Sequence, residues 1–477
     1  MYQRASGFKR VAWMLLGLLI GLLMLAVGGL MYFEIPGNAA GMAAKGICSA
    51  AFVAGRPRQD LMAQDVLPAS PVLALIQVSV NETEHSVTAR FAGVVSRRAV
   101  LLKARGCVLD LQPDASARPY APSVDLAQTW PKGEAPIPLA DWGDGVDVAK
   151  LKAVVDTAFI GAGDPLAANA RGLAVVQHGR MLVLRDAPGF AAGTALHGWS
   201  MTKTVTGMLT HKLAAEAGLP LDASVVDAFP AGREPAWVAD WRQDARRSIK
   251  VSDLLYMRDG LAMTEDYEPW GSVPRMLWGT PNAAAWAANH SAEVAPGARW
   301  RYLSATANLL AAVARGRFAS DVEYWDYPRK ALFDPIGAKS ATLETDSVGN
   351  WIGSSYLWAS VGDWARLGQL MLQDGKWGAQ QVLPPGWLRR AFTPATAQGE
   401  GQGYGALSWL YGNPQAGECK AYRGVPADTV VMVGHWGQIV AIVPSRDAVV
   451  VRLGWTFKHG QFDGCKLIAD VLSALPK

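Results

Sequence analysis

Charge is scarce in this sequence. Only 18% of its 477 residues are Asp, Glu, Lys or Arg, against roughly 25% in an average soluble domain. Half the residues are hydrophobic. This composition excludes a disordered or highly charged chain and leaves ample material for a core. Basic and acidic residues nearly cancel, 45 against 41, and neither sign is clustered, so no nucleic-acid partner is expected. Cysteine is rarer still: four residues and no Cys-x-x-Cys pair, which excludes zinc-ribbon and thioredoxin chemistry. His-Glu-x-x-His and His-x-His-x-Asp are absent, so no metal or other cofactor is expected. A complete Gly-x-Ser-x-Gly is missing too. Gly198-Trp199-Ser200-Met201-Thr202 fails at its last position, which argues against an α/β-hydrolase triad.

Long apolar runs are lacking with one exception. Mean hydropathy is +0.10, too low for a multi-span transporter. Val11–Phe33 is an uncharged run of about 23 residues, long enough to span a bilayer as a helix. Arg4, Lys9 and Arg10 precede it, so the rest of the chain is expected outside the cytoplasm. The run exceeds the apolar core of a cleaved signal peptide. It therefore reads as an uncleaved anchor, while the Ala-rich stretch Ala39–Ala44 leaves cleavage open. Four cysteines fit an exported protein and allow three pairings. Locality along the chain suggests Cys48–Cys107 and Cys419–Cys465.

Length allows about three units at roughly 150 residues each. Residues 1–33 form the anchor or signal. Residues 34–147 read as a small accessory β segment, with strands over Leu73–Val80, Ser86–Val95 and Ala99–Leu102, followed by a Pro/Gly-rich linker from Pro113 to Asp147. No chemistry is expected there. From 148 to 477 the pattern changes. Leu173–Gln177 and Met181–Arg185 are strands joined at His178-Gly179. Thr429–Val433, Ile439–Val443 and Ala448–Leu453 are three more. Helices are expected over Val148–Ile160 and Lys466–Leu475, and residues 200–400 are mostly helical and rich in Trp. The fold class is therefore α/β of the α+β type. It has an antiparallel five-stranded sheet flanked by helices, with the terminal helices on one face, plus a helical region.

The informative stretch is Ser200-Met201-Thr202-Lys203, a Ser-x-x-Lys at the start of an apolar-periodic helix. Positions i and i+3 share a helix face, which sets Lys203 beside the Ser200 hydroxyl. A serine needs a base to become a nucleophile. Lysine serves as that base only when burial lowers its pKa.

These residues resemble the first motif of the serine β-lactamase and penicillin-binding-protein superfamily. More closely they resemble class C β-lactamase-related hydrolases, including family VIII esterases and 6-aminohexanoate-dimer hydrolases. Trp300-Arg301-Tyr302-Leu303-Ser304 is similar to the Tyr-x-Asn/Ser element, and Gly434-His435-Trp436-Gly437-Gln438 to the third motif. Asp253–Leu261 resembles the family's "LLxMxSG" loop, and Glu265-Asp266-Tyr267 follows it as in the amide-hydrolase branch. Ala359–Gly368 matches a further segment. The resemblance covers about 170–475.

It implies roles for named residues. Ser200 is the acylated nucleophile and Lys203 the base or its proton partner. Tyr302 shares that role as phenolate or neutral relay and protonates the leaving group. The oxyanion hole would be the N–H groups of Ser200 and Gln438. Trp199, Asp266, Tyr267, Ser304, His435, Trp436 and Gly437 would line the substrate site, with Trp270 as a further wall. His435-Trp436 stands where β-lactam-recognising members have Lys-Thr, and Ser304 replaces their Asn. The expected activity is thus an esterase or amidase on small esters or amides, anchored in the inner membrane with its catalytic domain in the periplasm, or exported. β-Lactamase or D-amino-acid carboxypeptidase activity, or a catalytically silent binding or sensor protein, are the alternatives.

Overall fold

The computed structural model describes residues 12–19, 21, 24, 28–29, 31–32, 34–121, 124–164, 167–396 and 400–477. The anchor expected over 11–33 lies partly outside them. Its stretch 12–19 is helical, with Trp13, Leu15 and Leu19 exposed. Among the described residues no helix is long and apolar enough to cross a membrane.

Helix α1, Ile35–Cys48, starts with Pro36 in its first turn, where the missing N–H costs nothing. Ala40, Ala43, Ala44 and Ile47 are fully buried. The helix packs between a four-stranded antiparallel sheet and the segment Arg275–Gly279 of the hydrolase body. That sheet comprises β1 Ile76–Asn81, β2 Ser86–Phe91, β3 Val95–Leu102 and β4 Gly106–Leu109, in that order. One expectation needs correction. The strand expected from Leu73 begins at Ile76, and residues 71–75 form a 3-10 turn. Both expected disulfides are formed. Cys48–Cys107 ties α1 to β4 with a Cα separation of 5.9 Å, and Cys419–Cys465 spans 5.3 Å.

The described residues of the stretch read as a linker, 113–121 and 124–147, form a packed strap. Trp130 is buried, and its indole N–H donates to the Gly362 carbonyl at 3.3 Å. Glu134 accepts from the buried Arg366 at 2.6 Å, and Arg366 also donates to the Pro131 and Gly133 carbonyls. Proline and glycine give this stretch an irregular path, and one buried guanidinium satisfies the carbonyls that path exposes.

The main sheet follows the expectation. Its strands are β5 Ala170–Gln177, β6 Arg180–Asp186, β7 Val430–Gly434, β8 Gln438–Val443 and β9 Ala448–Gly454. The order is β7-β8-β9-β5-β6, antiparallel throughout. β5, β8 and β9 are buried along their whole length and mostly apolar, with Arg171, Gln177, Gln438 and Arg452 as buried polar exceptions. Alternation sends Leu173, Val175, Ala441 and Val450 to one face. There they meet α2, Val148–Ala158, and α6, Gly464–Ser473, the two terminal helices. The other face carries α5, Val361–Leu372, and the helical region with α3, Met201–Glu216, and α4, Ser304–Arg315. β7 is the edge strand, and α3 runs beside it.

Candidate active site

Ser200 sits at the N-terminus of α3, directly after Trp199. Trp199 holds φ at +48°, a left-handed conformation that a bulky residue adopts only under constraint from its surroundings. The corner turns the short strand Leu196–His197 into the helix and leaves Ser200 almost buried. One turn on, Lys203 is 1% exposed. Its Nζ lies 2.8 Å from Ser200 Oγ, 3.0 Å from Ser304 Oγ and 3.1 Å from the Ser354 carbonyl. Burial brings the Lys203 pKa down to about 8, with Glu265 pulling the other way.

Sequence reasoning missed Glu265 as a site residue. It accepts from both the backbone N–H and the hydroxyl of Ser304, each at 2.6 Å. A distant carboxylate thus caps α4, whose own N-cap residue, Leu303, makes no side-chain cap. It also fixes a proton direction. Ser304 Oγ donates to Glu265 and must accept from Lys203, and the Ser354 carbonyl can only accept. A neutral lysine has two N–H groups and one lone pair. Those two acceptors take the N–H groups, and the lone pair faces Ser200.

Two tyrosines close the site. Tyr302 lies with its ring 4.7 Å from Lys203 Nζ and packs on Trp409 and Tyr404. Burial pushes its phenol well above the ordinary range, with Tyr404 and Glu265 adding to the rise and a hydrogen bond to Ser200 opposing it. Tyr267 is also raised, by burial first and Glu265 second, and hydrogen bonds to Ser304 and Ser200 oppose that rise. Both are neutral phenols in reach of the nucleophile. Tyr267 stacks on His435 at 4.4 Å. Burial and the nearby Lys203 depress the His435 pKa to about 4, so its ring is neutral near pH 7. Trp199 and Trp436 meet edge-on at 5.1 Å.

Gln438 is placed differently from expectation. Val431 exchanges both backbone hydrogen bonds with Trp409 on the free edge of β7. Alternation then turns the N–H groups of residues 433 and 435 outward, and faces Gly434 toward its partner Gln438. The Gln438 N–H therefore belongs to the ladder, and the His435 N–H is the outward one. Gly434 permits this closeness, since a Cβ there would stand 2.3 Å from the Gly198 carbonyl. The Gln438 side chain braces the hairpin from behind, donating to the His435 carbonyl at 3.0 Å and accepting from the Gly454 N–H at 2.8 Å. Gly437, at φ +84°, packs against Arg452 and Phe462 as a turn residue and lies off the substrate side. Asp266 lines the cavity and also shapes its loop, accepting from the Glu268 N–H at 2.9 Å.

A cavity of about 630 Å³ opens against Trp199, the residue before Ser200, and Glu265. Trp199, Tyr267, His435 and Trp436 form its hydrolase side, and Trp270 is on its wall. Its opposite side comes from α1 and residues 69–73, so the accessory segment does take part in the site. Among the described residues no group of three or more His, Cys, Asp or Glu side chains is arranged to hold a metal ion.

Sheet, helices and the Ser-Lys-Tyr cluster define the serine β-lactamase and penicillin-binding-protein fold. Solved structures agree. A protein assigned as a 6-aminohexanoate-dimer hydrolase from Bacillus anthracis matches at 17% identity and TM-score 0.51, covering 69% of this chain and 83% of its own. A protein assigned as a β-lactamase from Bacteroides dorei matches at 14% and 0.54, covering 69% and 99%. A class C β-lactamase mutant matches at 16% and 0.51, covering 70% and 99%. The Beta-lactamase family profile matches residues 157–465, well over half of the chain. The protein belongs to the β-lactamase family of serine hydrolases. No curated protein matches it.

Proposed function

We propose that the protein is a serine acyl hydrolase, an esterase or amidase on small esters or amides, working through an acyl-enzyme on Ser200. The observation that carries this reading is the buried Lys203 Nζ 2.8 Å from Ser200 Oγ, with acceptors, Ser304 Oγ and the Ser354 carbonyl, as its other two contacts. Neutral Lys203 takes the Ser200 proton as Oγ attacks the carbonyl carbon. The oxyanion meets the N–H groups of Ser200 and His435, aided by the positive end of α3. Tyr302, with Tyr267 beside it, passes the proton to the leaving alcohol or amine. Water then hydrolyses the acyl-enzyme by the reverse proton path.

β-Lactams and D-amino-acid peptides are the weaker candidates. Their carboxylate calls for a cation, and no Lys or Arg is among the described residues lining the cavity. For location, we propose that the run over 11–33 anchors the chain in the inner membrane with the hydrolase body in the periplasm, or is removed on export. The two disulfides suit an oxidising compartment. The test of the activity is p-nitrophenyl butyrate hydrolysis beside Ser200→Ala, with fluorophosphonate labelling. Equal rates in the two proteins sink the nucleophile and leave the silent binding protein as the reading.

A further inference from the structure

Two irregular segments meet beside the nucleophile. Residues 259–267 carry Glu265 and Tyr267, and residues 299–303 carry Tyr302 and lead into α4. Arg301 joins them. Its Nη1 donates to the Met263 carbonyl at 2.6 Å and to the Leu261 carbonyl at 3.4 Å. Glu293 pairs with the same nitrogen at 2.9 Å. The Arg301 backbone N–H donates to the Met257 carbonyl at 2.9 Å. A second tie runs to α4. Asp259, 3% exposed, accepts from the Leu261 N–H at 2.8 Å and from the Thr306 hydroxyl. An irregular path leaves carbonyls without ladder partners, and a guanidinium fork supplies them.

The clamped carbonyl of Met263 lies two residues before Glu265. Glu265 needs a fixed place, because its two bonds to Ser304 are each 2.6 Å. It is also the charge that acts on Lys203. The other titratable groups around Lys203 are uncharged near pH 7. Tyr267, Tyr302 and Tyr404 are phenols raised by burial, and His435 is a neutral imidazole.

We propose that Arg301 is a positioning residue: it holds the loop bearing Glu265 and Tyr267 against the segment bearing Tyr302 and Ser304, and acts on Lys203 through Glu265. Charge and position predict opposite signs. As a bare cation Arg301 disfavours a second cation, so its loss would raise the Lys203 pKa. As the holder of Glu265, its loss frees the carboxylate from its place and lowers that pKa. Glu293 keeps Arg299 as a partner at 2.6 Å, so the substitution strands no charge.

The proposal rests on Lys203 as the base for its effect on rate, but its test does not need turnover. The full-length protein, carrying isotope-labelled lysine, is titrated by NMR, and the Lys203 signal is assigned by its absence from Lys203→Met. Hydrolysis of p-nitrophenyl butyrate is followed over the same pH range. Glu265→Gln should lower the Lys203 midpoint by about one unit, and Arg301→Met by roughly half as much. In the Glu265→Gln background, Arg301→Met should add no further shift. Should Arg301→Met not fold, Arg301→Gln, which keeps one donor, is read in the same way with a smaller shift. A midpoint that rises or stays in place on loss of the guanidinium, or an equal shift in the Glu265→Gln background, overturns the proposal. The expected titration beside a fully active Ser200→Ala would count against the hydrolase reading and leave the clamp standing.

Discussion

Lys45 Nζ lies 3.2 Å from Glu344 Oε2, and both side chains are completely buried. The pair joins α1 to the hydrolase body. Lys45 also donates to the Cys107 carbonyl, Ser49 donates to Glu344 at 2.9 Å, and the Cys107 N–H reaches the same carboxylate at 2.7 Å. Burial drives the Lys45 pKa down and the Glu344 pKa up, and each partner pulls the other back.

Removing one charge therefore leaves the other buried without compensation. Lys45→Met should lower unfolding free energy by about 3–5 kcal/mol, measured by urea denaturation. Lys45→Met with Glu344→Gln should recover part of that loss, because no lone charge remains. A single variant as stable as wild type would mean that water reaches Glu344.

The acylation rate should fall with acidity. Lys203 acts only when neutral, and its pKa is about 8. Below that value the protonated form dominates, so kcat/KM should decline toward tenfold per pH unit. A rate flat from pH 6 to 9 rejects Lys203 as the base.

Glu265→Gln tests the cap on α4. The carboxylate raises the Lys203 pKa, so its removal should move the midpoint of the pH profile downward. Ser304 also loses a charged acceptor, and kcat should drop by about tenfold. An unmoved midpoint would separate Glu265 from the proton path.

The disulfide Cys419–Cys465 closes a segment of sequence separation 46. Replacing both cysteines with serine should cost about 3–4 kcal/mol, seen as a lower denaturation midpoint. Mass spectrometry of the intact protein should find no free thiol, in keeping with the pairing of all four cysteines.

The sheet was readable because its strands are short β-branched runs with turn residues between them, and Ser200, Lys203 and Tyr302 sit in ordered local motifs. α1 escaped notice for two reasons. Gly37, Gly41 and Gly46 with Pro36 read as breakers, and burial around most of the helix erases the amphipathic period. Glu265 reaches Ser304 across 39 residues, so no local spacing announces it. Gln438 was mistaken because its motif gives residue order alone. Which N–H faces outward depends on the phase of the ladder, and Trp409 sets that phase from outside the strand.

The docking of α1 has a consequence in time. Ser49 meets Glu344 across 295 residues, whereas Ser200 and Lys203 meet within one helical turn. Contacts of such long sequence separation form late. Refolding should then form helix α3, with Ser200 and Lys203 on it, before α1 docks on the hydrolase body through Ser49 and Glu344. Pulsed hydrogen exchange during refolding should show α3 protected before α1.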